Sequence, residues 1–230
     1  MSDSLQFTYY GHSCFAVVVD GVRLLFDPFI TGNPKAGSLE VSSIEADYIL
    51  ITHGHADHLA DAVAIAARTG AMVISNYEIA SWLGKQGVSR THGMNFGGSF
   101  ALPFGRTKYV VAVHSSTLPD GSPGGHPGGF VVTNGARTFY YAGDTALTYD
   151  MKLIEAEFSV DFAVLPIGDT FTMGPADAAR AAAFVGTSKV IGVHFDTFPP
   201  IAIDHDAARS HFQQRGVELV LPVIGETFAL

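Results

Sequence analysis

The chain has 230 residues, of which 47% are apolar and only 15% are Asp, Glu, Lys or Arg. This length predicts one domain, and the apolar content excludes a disordered chain. Acidic residues outnumber basic ones by 22 to 13, which gives a formal net charge of −9. Because nucleic-acid-binding surfaces depend on clustered Lys and Arg, this balance argues against nucleic acid as a partner.

The compartment is indicated by the cysteine count and by the apolar runs. A single cysteine, Cys14, excludes an intrachain disulfide framework. The opening residues, MSDSLQFTYYG, lack the basic and apolar regions of a signal peptide. The longest apolar runs are strand-sized and fall far short of a membrane span. We therefore expect a cytoplasmic protein without membrane association.

The first half of the chain predicts short strands with two helices among them. Runs of β-branched and aromatic residues indicate the strands, and Asp20-Gly21 forms a hairpin turn between two of them. We predict strands over Leu5–Tyr9, Cys14–Val19, Arg23–Phe26, Tyr48–Ile51, Met72–Ser75, Gly98–Leu102 and Lys108–Val113. We predict helices over Ala60–Thr69 and Tyr77–Lys85.

The second half follows a loop rich in Gly, Pro and Ser over residues 115–128. A hairpin around Asn134-Gly135 opens this half, because that dipeptide favours a type I′ turn. We predict strands over Gly129–Thr133, Arg137–Tyr141, Phe162–Leu165, Lys189–Val193, Glu218–Leu221 and Thr227–Ala229. We predict helices over Met151–Phe158, from Pro175 to Gly186, and over Asp206–Gln214. The pattern indicates one domain, 1–230, whose β-rich halves (about 1–115 and 125–230) pack sheet on sheet with helices outside.

Three of the ten histidines lie within six residues, in the segment His53-Gly54-His55-Ala56-Asp57-His58. Imidazole nitrogens and carboxylates are the ligands that zinc takes in proteins. The segment follows a predicted strand and precedes a predicted helix, so a rigid loop would present these side chains. A chance match to this pattern has odds of about one in a thousand, so the segment indicates a metal site.

Further candidate ligands stand where other predicted strands end. His114 follows the strand Lys108–Val113, and His194 follows Lys189–Val193. Asp144 lies in Tyr-Ala-Gly-Asp-Thr, where the glycine allows a sharp turn after a strand. Each is a metal-competent side chain at the carboxyl end of an apolar strand, so we expect the three to join the histidine segment.

These motifs together resemble the metallo-β-lactamase superfamily over nearly the whole chain. More narrowly, the chain resembles an uncharacterised metal-dependent hydrolase branch that is similar to the L-ascorbate-6-phosphate lactonase group. The resemblance is carried by GHSCF (Gly11–Phe15), DPF (Asp27–Phe29), THGHADHLAD, HSS (His114–Ser116), YAGDT, GDTFTMGP and VHFDTFP. It implies an α/β (α+β) fold, a four-layer αββα sandwich, with a dinuclear site at one edge of the sheets.

Carried over by position, the resemblance implies a complete ligand set for two divalent metal ions. Zinc is favoured, with manganese or iron as alternatives. A first metal would be held by His53, His55 and His114, a second by Asp57, His58 and His194, and Asp144 would bridge both. A metal-bridging hydroxide would then attack a small ester, lactone or phosphodiester. Bound metals would also offset part of the negative charge, which leaves anionic substrates possible.

Several neighbouring residues have a functional and a structural interpretation. His12 is either a proton donor or substrate contact, or a structural histidine in a turn. Asp27 is either the hydrogen-bond partner of a ligating histidine, or a turn residue before Pro28. Asp169 lies on a loop after a strand, where a substrate contact is expected. Thr170 stands where many relatives carry histidine, so no role is assigned to it.

Two alternatives to a hydrolase stay open at this point. One is a metal-binding regulatory or binding protein without turnover, and the other is an iron-dependent oxidative relative. His55 favours hydrolysis, because flavin-linked di-iron relatives tend to carry glutamate there. We expect a small-molecule substrate. We also expect a homo-oligomer, since 15% charged residues is low against roughly 25% in an average domain.

Overall fold

Fourteen strands form two seven-stranded sheets within residues 5–230, the part of the chain that this computed structural model describes. The first sheet has the order β14-β1-β2-β3-β4-β5-β6. Its strands are β1 (Gln6–Gly11), β2 (Cys14–Val19), β3 (Val22–Phe26), β4 (Tyr48–Leu50), β5 (Met72–Asn76), β6 (Thr91–Met94) and β14 (Thr227–Ala229). The pairs from β1 to β3 are antiparallel, and those from β3 to β6 are parallel.

The second sheet has the order β13-β12-β11-β10-β9-β8-β7. Its strands are β7 (Ser99–Leu102), β8 (Gly105–Val111), β9 (Gly128–Thr133), β10 (Thr138–Tyr141), β11 (Phe162–Pro166), β12 (Lys189–Val193) and β13 (Glu218–Val220). The pairs from β10 to β13 are parallel, and those from β7 to β10 are antiparallel. In both sheets, therefore, the parallel strands deliver their carboxyl ends to one edge, where polar loops can meet.

Helices cover the outer face of each sheet. They are α1 (Ala56–Leu59), α2 (Ala62–Thr69), α3 (Tyr77–Lys85), α4 (Met151–Glu157), α5 (Pro175–Phe184) and α6 (His205–Gln213), with 3₁₀ turns at Val41–Ser43 and Pro199–Ile201. Buried side chains of α1 to α3 pack on the first sheet, and those of α4 to α6 pack on the second. The arrangement confirms the predicted four-layer αββα sandwich of the α/β class.

Aromatic rings fill the layer between the two sheets. The Phe15 ring stacks on those of Phe7 and Phe26, with ring centroids 4.9 and 4.6 Å away. Tyr141 of the second sheet meets Phe15 and Phe26 edge-on, at 4.8 and 5.5 Å. Burying one such ring contributes roughly 1.5–3 kcal/mol. This packing fixes Tyr141 of one sheet against the strand ends of the other.

The structure differs from the sequence expectations at three places. The chain changes sheets between Met94 and Ser99, so β7 and β8 pair in the second sheet, and β14 returns to the first. Strand β6 was not predicted, because Thr91–Met94 is polar and contains Gly93. The helical region after β4 begins at Ala56, not near Ala60, so Asp57 and His58 lie on a one-turn helix.

Candidate metal centre

The segment after β4 directs four predicted ligands towards one edge of the sheets. His53 and His55 lie in the loop itself, and α1 carries Asp57 and His58 one turn later. The backbone N–H of His58 donates to the carbonyl of His55 at 3.0 Å, which closes this turn. All of these side chains are buried or half-buried. The short helix thus turns a local sequence motif into a cluster of convergent side chains.

The loops that follow three strands carry the other predicted ligands to the same place. These ligands are His114 after β8, Asp144 after β10 and His194 after β12. The backbone N–H of His194, after β12, donates to the carbonyl of His12 at 2.8 Å. Before Asp144, Gly143 has a positive φ of 62°, and a Cβ there would lie 2.7 Å from the Cβ of Thr52. Glycine is therefore required for β10 to bring Asp144 against the histidine loop.

Asp144 lies at the centre of the cluster. Its Oδ2 atom is 3.0 Å from Nε2 of His194, 3.4 Å from Nε2 of His58 and 3.6 Å from Nε2 of His114. Nε2 of His53 lies 3.9 Å away. One carboxylate oxygen thus lies within 4 Å of four imidazole nitrogens, which places Asp144 among all the histidines predicted as ligands except His55.

The donor atoms fit a metal centre by their grouping. In each of three groups, the donor atoms lie within 4.8 Å of one another. The groups are His53, His55 and His114; His53, His58 and Asp144; and His12, Asp57, His58 and His194. The first matches the predicted ligands of one metal. The last contains the three predicted for the other, together with His12.

Unpaired buried atoms provide a second test of this fit. Nε2 of His58 and Oδ1 of Asp144 are buried and have no hydrogen-bond partner among the described residues. Leaving such an atom unpaired costs about 1–3 kcal/mol, and both atoms belong to the predicted ligand set. Nitrogen and carboxylate oxygen are donors that zinc, manganese and iron accept. The residues present therefore fit a divalent metal ion.

Asp27 orients His58 directly and His53 through the Thr52 hydroxyl. Its Oδ2 accepts from the hydroxyls of Thr52 and Tyr141, both at 2.6 Å, and from Nδ1 of His58 at 2.9 Å. The Thr52 hydroxyl, which donates to Asp27, is left to accept from Nδ1 of His53 at 3.0 Å. Each ring thus holds a proton on Nδ1 and turns its Nε2 towards Asp144, the orientation that ligating histidines need.

Burial and charge set the protonation of the cluster. Burial lowers the pKa of His53 well below its usual range, and it also lowers the pKa values of His55 and His114. Burial opposes the charged form of His58 too, but the carboxylates of Asp144 and Asp27 outweigh it and raise the pKa of His58. The rings of His53, His55 and His114 are therefore neutral at pH 7 and offer lone pairs. The raised pKa of His58 shows that the carboxylates of Asp144 and Asp27 favour a positive charge beside them.

His12 is buried, with 1% of its surface exposed. Its Nε2 lies 3.1 Å from Oδ2 of Asp57, and its Nδ1 lies 2.9 Å from the hydroxyl of Thr197. Burial lowers the pKa of His12 to about 4, so the ring is neutral at pH 7. His12 therefore contacts a predicted ligand directly, and its predicted role as proton donor or substrate contact stays a prediction.

A cavity of about 300 Å³ opens beside the cluster. Its lining combines predicted ligands with apolar side chains: His55, Asp57, His114, Ser115, Asp144, Phe171, His194, Phe198 and Ile201. Asp57 keeps 32% of its side-chain surface exposed here. Burial opposes its ionised form, but the hydrogen bond with His12 and the nearby imidazoles of His58 and His12 together outweigh burial and lower the pKa of Asp57. Its carboxylate is thus ionised at the cavity wall.

Asp169 and Thr170 lie on the loop beside this cavity but are not among its lining residues. Oδ1 of Asp169 accepts the backbone N–H of Thr170 at 2.8 Å, and the Thr170 hydroxyl donates to the carbonyl of Pro200 at 2.9 Å. These contacts hold the loop together. The substrate contact expected for Asp169 stays a prediction.

Sequence reasoning missed several residues that support the site. Thr52, Tyr141 and Thr197 hold His53, Asp27 and His12 in place. Thr52 has a local signal, because it directly precedes the first histidine of the motif. Tyr141 and Thr197 lie in the motifs YAGDT and VHFDTFP, but the motifs did not reveal their contacts, since their partners come from distant segments of the chain.

The fold and this donor set define a protein of the metallo-β-lactamase superfamily. A family model described as the beta-lactamase superfamily domain matches residues 22–195. The chain is 48% identical over 226 residues to a UPF0173 metal-dependent hydrolase of Flavobacterium johnsoniae, a match that covers 98% of this chain and 100% of the relative. A relative of the same description from Methylacidiphilum infernorum is 50% identical over 226 residues, with the same shares covered. The chain belongs to the UPF0173 metal-dependent hydrolase family.

A solved structure supports this assignment. Igni18, described as a novel metallo hydrolase from the hyperthermophilic archaeon Ignicoccus hospitalis, superposes with a TM-score of 0.89 at 34% sequence identity. The match covers 99% of this chain and 98% of that one. Separately, no helix within residues 5–230 is long and apolar enough to cross a bilayer.

Proposed function

We propose that this member of a metal-dependent hydrolase family is a dinuclear enzyme that hydrolyses a small ester, lactone or phosphodiester. The observation that carries the proposal is the convergence of four imidazole Nε2 atoms on one Asp144 oxygen, between 3.0 and 3.9 Å away. Asp144, His114 and His194 also line a cavity large enough for a small molecule.

Two groups of residues would hold the metal ions. His53, His55 and His114 form one group, Asp57, His58 and His194 the other, and Asp144 is common to both. Zinc is favoured by the donor set, with manganese or iron as alternatives. When bound, such ions lower the pKa of water and stabilise negative charge that develops on a carbonyl or phosphoryl oxygen.

The chain's own residues then orient the reaction and move protons. Asp57 faces the cavity as an ionised carboxylate, so it is placed to take a proton from the attacking water. Asp144 holds the histidine rings around one point. His12, whose Nε2 touches Oδ2 of Asp57 at 3.1 Å, acts as a positioning residue that fixes the direction of that carboxylate.

The proposal of a lactone substrate rests on the sequence motifs that resemble the L-ascorbate-6-phosphate lactonase group. Ester and phosphodiester hydrolysis are included because they too proceed by attack of an activated water molecule. In the acyl case, the water oxygen bonds to the carbonyl carbon and the bond to the alcohol oxygen breaks. The proton ends on that alcohol oxygen. The apolar side of the cavity supports a small organic substrate, since Phe171, Phe198 and Ile201 line it.

A panel of aryl phosphodiesters, lactones and alkyl esters tests the proposal, with zinc, manganese or iron added in separate reactions. We expect turnover of at least one class and its loss in Asp144→Ala, with the fold retained by circular dichroism. Two bound metals without turnover of any class would favour a binding or regulatory protein. Oxygen-dependent chemistry with iron alone would favour an oxidative relative.

We also propose a homo-oligomer. A shallow groove lined by Phe96, Val110, Leu153 and Phe158 supports it, because Leu153 exposes two-thirds of its surface on α4. Light scattering at micromolar concentration tests this, and we expect a mass that is a multiple of 24.4 kDa. Leu153→Asp should then lower the mass, and a monomer in the parent protein would refute the proposal.

A further inference from the structure

The cavity beside the metal centre is lined by two chemically different kinds of residue. Predicted ligands and Ser115 form the polar part of the lining. Its apolar wall consists of Phe171, Phe198 and Ile201, three large side chains that take no part in the ligand cluster. Phe171 is 58% exposed although it is large and apolar. Because this apolar wall lines the same cavity as the predicted ligands, it would contact the part of a substrate that does not react.

The loop that carries Phe171 is held in a strained conformation. Asp169 and Thr170 both have positive φ values, of 61° and 56°. Such a conformation is costly for residues other than glycine, and for β-branched threonine above all. The Thr170 hydroxyl bond to Pro200 and the bond from the Met173 N–H to the Thr145 carbonyl at 3.0 Å hold this turn. The chain therefore maintains a rigid tip that places Phe171 at the rim.

Phe198, in the same apolar wall, is held in place by its neighbours. Its ring meets the His12 ring edge-on at 5.7 Å and lies 6.5 Å from the Phe29 ring. Two aromatic rings at the mouth, one rigidly displayed and one packed from behind, suit a flat or branched apolar group.

The lining also lacks the groups that would bind an anionic arm. Among the described residues that line the cavity, none is Lys or Arg. Metal ions could neutralise one anionic group at the reacting centre. A second phosphate or carboxylate, one arm's length away, would lose its hydration without gaining a cation.

We propose, resting on the hydrolase function above, that the substrate is an uncharged ester or lactone with an apolar, preferably aromatic, arm. The arm lies between Phe171 and Phe198, and the carbonyl faces the metal ligands. A phosphorylated or carboxylated arm is discriminated against. The proposal thus narrows the broader choice of small esters, lactones and phosphodiesters to neutral acyl compounds.

A matched pair of esters tests this discrimination. Ethyl 3-(4-methylphenyl)propanoate and ethyl 3-(4-carboxyphenyl)propanoate share the reacting group and leaving group and differ only in the para substituent, which is an apolar methyl group in one and an anionic carboxylate in the other. We expect the parent enzyme to prefer the neutral ester in kcat/KM by at least about tenfold, the scale of one lost aromatic contact or one unpaired polar group. Equal kcat/KM values for the two esters would overturn the proposal.

Variants of Phe171 make the test specific to the wall. Because the side chain is largely exposed, Phe171→Ala should fold normally and lose about tenfold on the neutral ester, with little change on the charged one. Phe171→Lys should reverse the preference. Tyr149→Ala is the matched control, because Tyr149 is equally aromatic, more exposed and outside this cavity. If Phe171→Ala behaves like the control, the proposal is wrong.

Binding without turnover separates this inference from the proposed function. Saturation-transfer NMR with 3-phenylpropan-1-ol, an uncharged probe, should show ring contacts in the parent protein that weaken in Phe171→Ala. If neither ester turns over with any metal, the hydrolase proposal fails and the probe alone decides the inference. Loss of ring contacts in the variant then supports the apolar wall, and unchanged contacts overturn it.

Discussion

Asp27→Asn tests whether one buried carboxylate organises the metal centre. The substitution keeps the shape of the side chain and exchanges one oxygen for an NH₂ group. Asp27 has a positive φ of 40°, and asparagine tolerates this conformation as well as aspartate does. The backbone contributes little to any effect, so the measurement reports on the hydrogen bonds.

The expected loss follows from the four donors that face Asp27. Three of them, including the Tyr141 hydroxyl and His58 Nδ1, converge on Oδ2, and the Thr52 N–H donates to Oδ1 at 2.8 Å. An asparagine oxygen that replaces Oδ2 leaves the Thr52 N–H against an NH₂ group, which costs about 1–3 kcal/mol. The other three bonds lose their charge-assisted strength, at about 1 kcal/mol each. Together we expect a destabilisation of about 4–6 kcal/mol.

Urea unfolding of the chelator-treated protein, followed by circular dichroism, measures this loss. Tyr141→Phe is the control, since it removes one donor and should cost only about 1 kcal/mol. In the same variants, zinc affinity should fall by about 10- to 100-fold for Asp27→Asn and much less for Tyr141→Phe. If the free energy of unfolding of Asp27→Asn is within about 1 kcal/mol of that of the parent, or is no lower than that of Tyr141→Phe, the reasoning about this network is wrong.

Two further predictions concern residues around the cluster. His12→Ala should weaken binding of the zinc ion assigned to Asp57, His58 and His194 by about tenfold, because His12 loses its contact with Asp57; competition with a chromophoric chelator measures this. His12→Gln, which can still donate to that carboxylate, should restore most of the affinity, and an equal loss in both variants would refute a positioning role. Gly143→Ala should destabilise the protein by about 2–3 kcal/mol in urea unfolding, because the new Cβ carries a positive φ and meets Thr52. Gly135→Ala, also at positive φ but with open space around it, should cost about 1 kcal/mol, and equal losses would contradict the contact.

The sequence predicted the parts of the molecule whose signals are local. Strands β2 and β12 have the predicted bounds because each is a short, largely apolar run ended by polar or turn residues. The candidate ligands, which the structure brings together, could be selected from the sequence for a related reason. A histidine motif after a predicted strand can be recognised from the local sequence. The same holds for a single His or Asp at a strand end, and neither requires knowledge of how the strands pair.

What could not be predicted depends on which distant segments meet. Asp27 was left with two interpretations, because only the packing of β10 against the first sheet brings the Tyr141 hydroxyl to it. The change of sheet after Met94 has no local signal either, since β7 and β8 look like any other hairpin. Phe171 gave no indication of a substrate wall, because its exposure follows from the strained turn before it.

Metal stoichiometry tests the central claim most directly. The protein is stripped with a chelator, reloaded with excess zinc, desalted, and analysed for zinc by inductively coupled plasma mass spectrometry against protein concentration. The convergence of His53, His55, Asp57, His58, His114 and His194 around Asp144 predicts two zinc ions per chain. A value near one per chain would contradict the dinuclear centre, and a value well below one would also contradict the hydrolytic mechanism built on it.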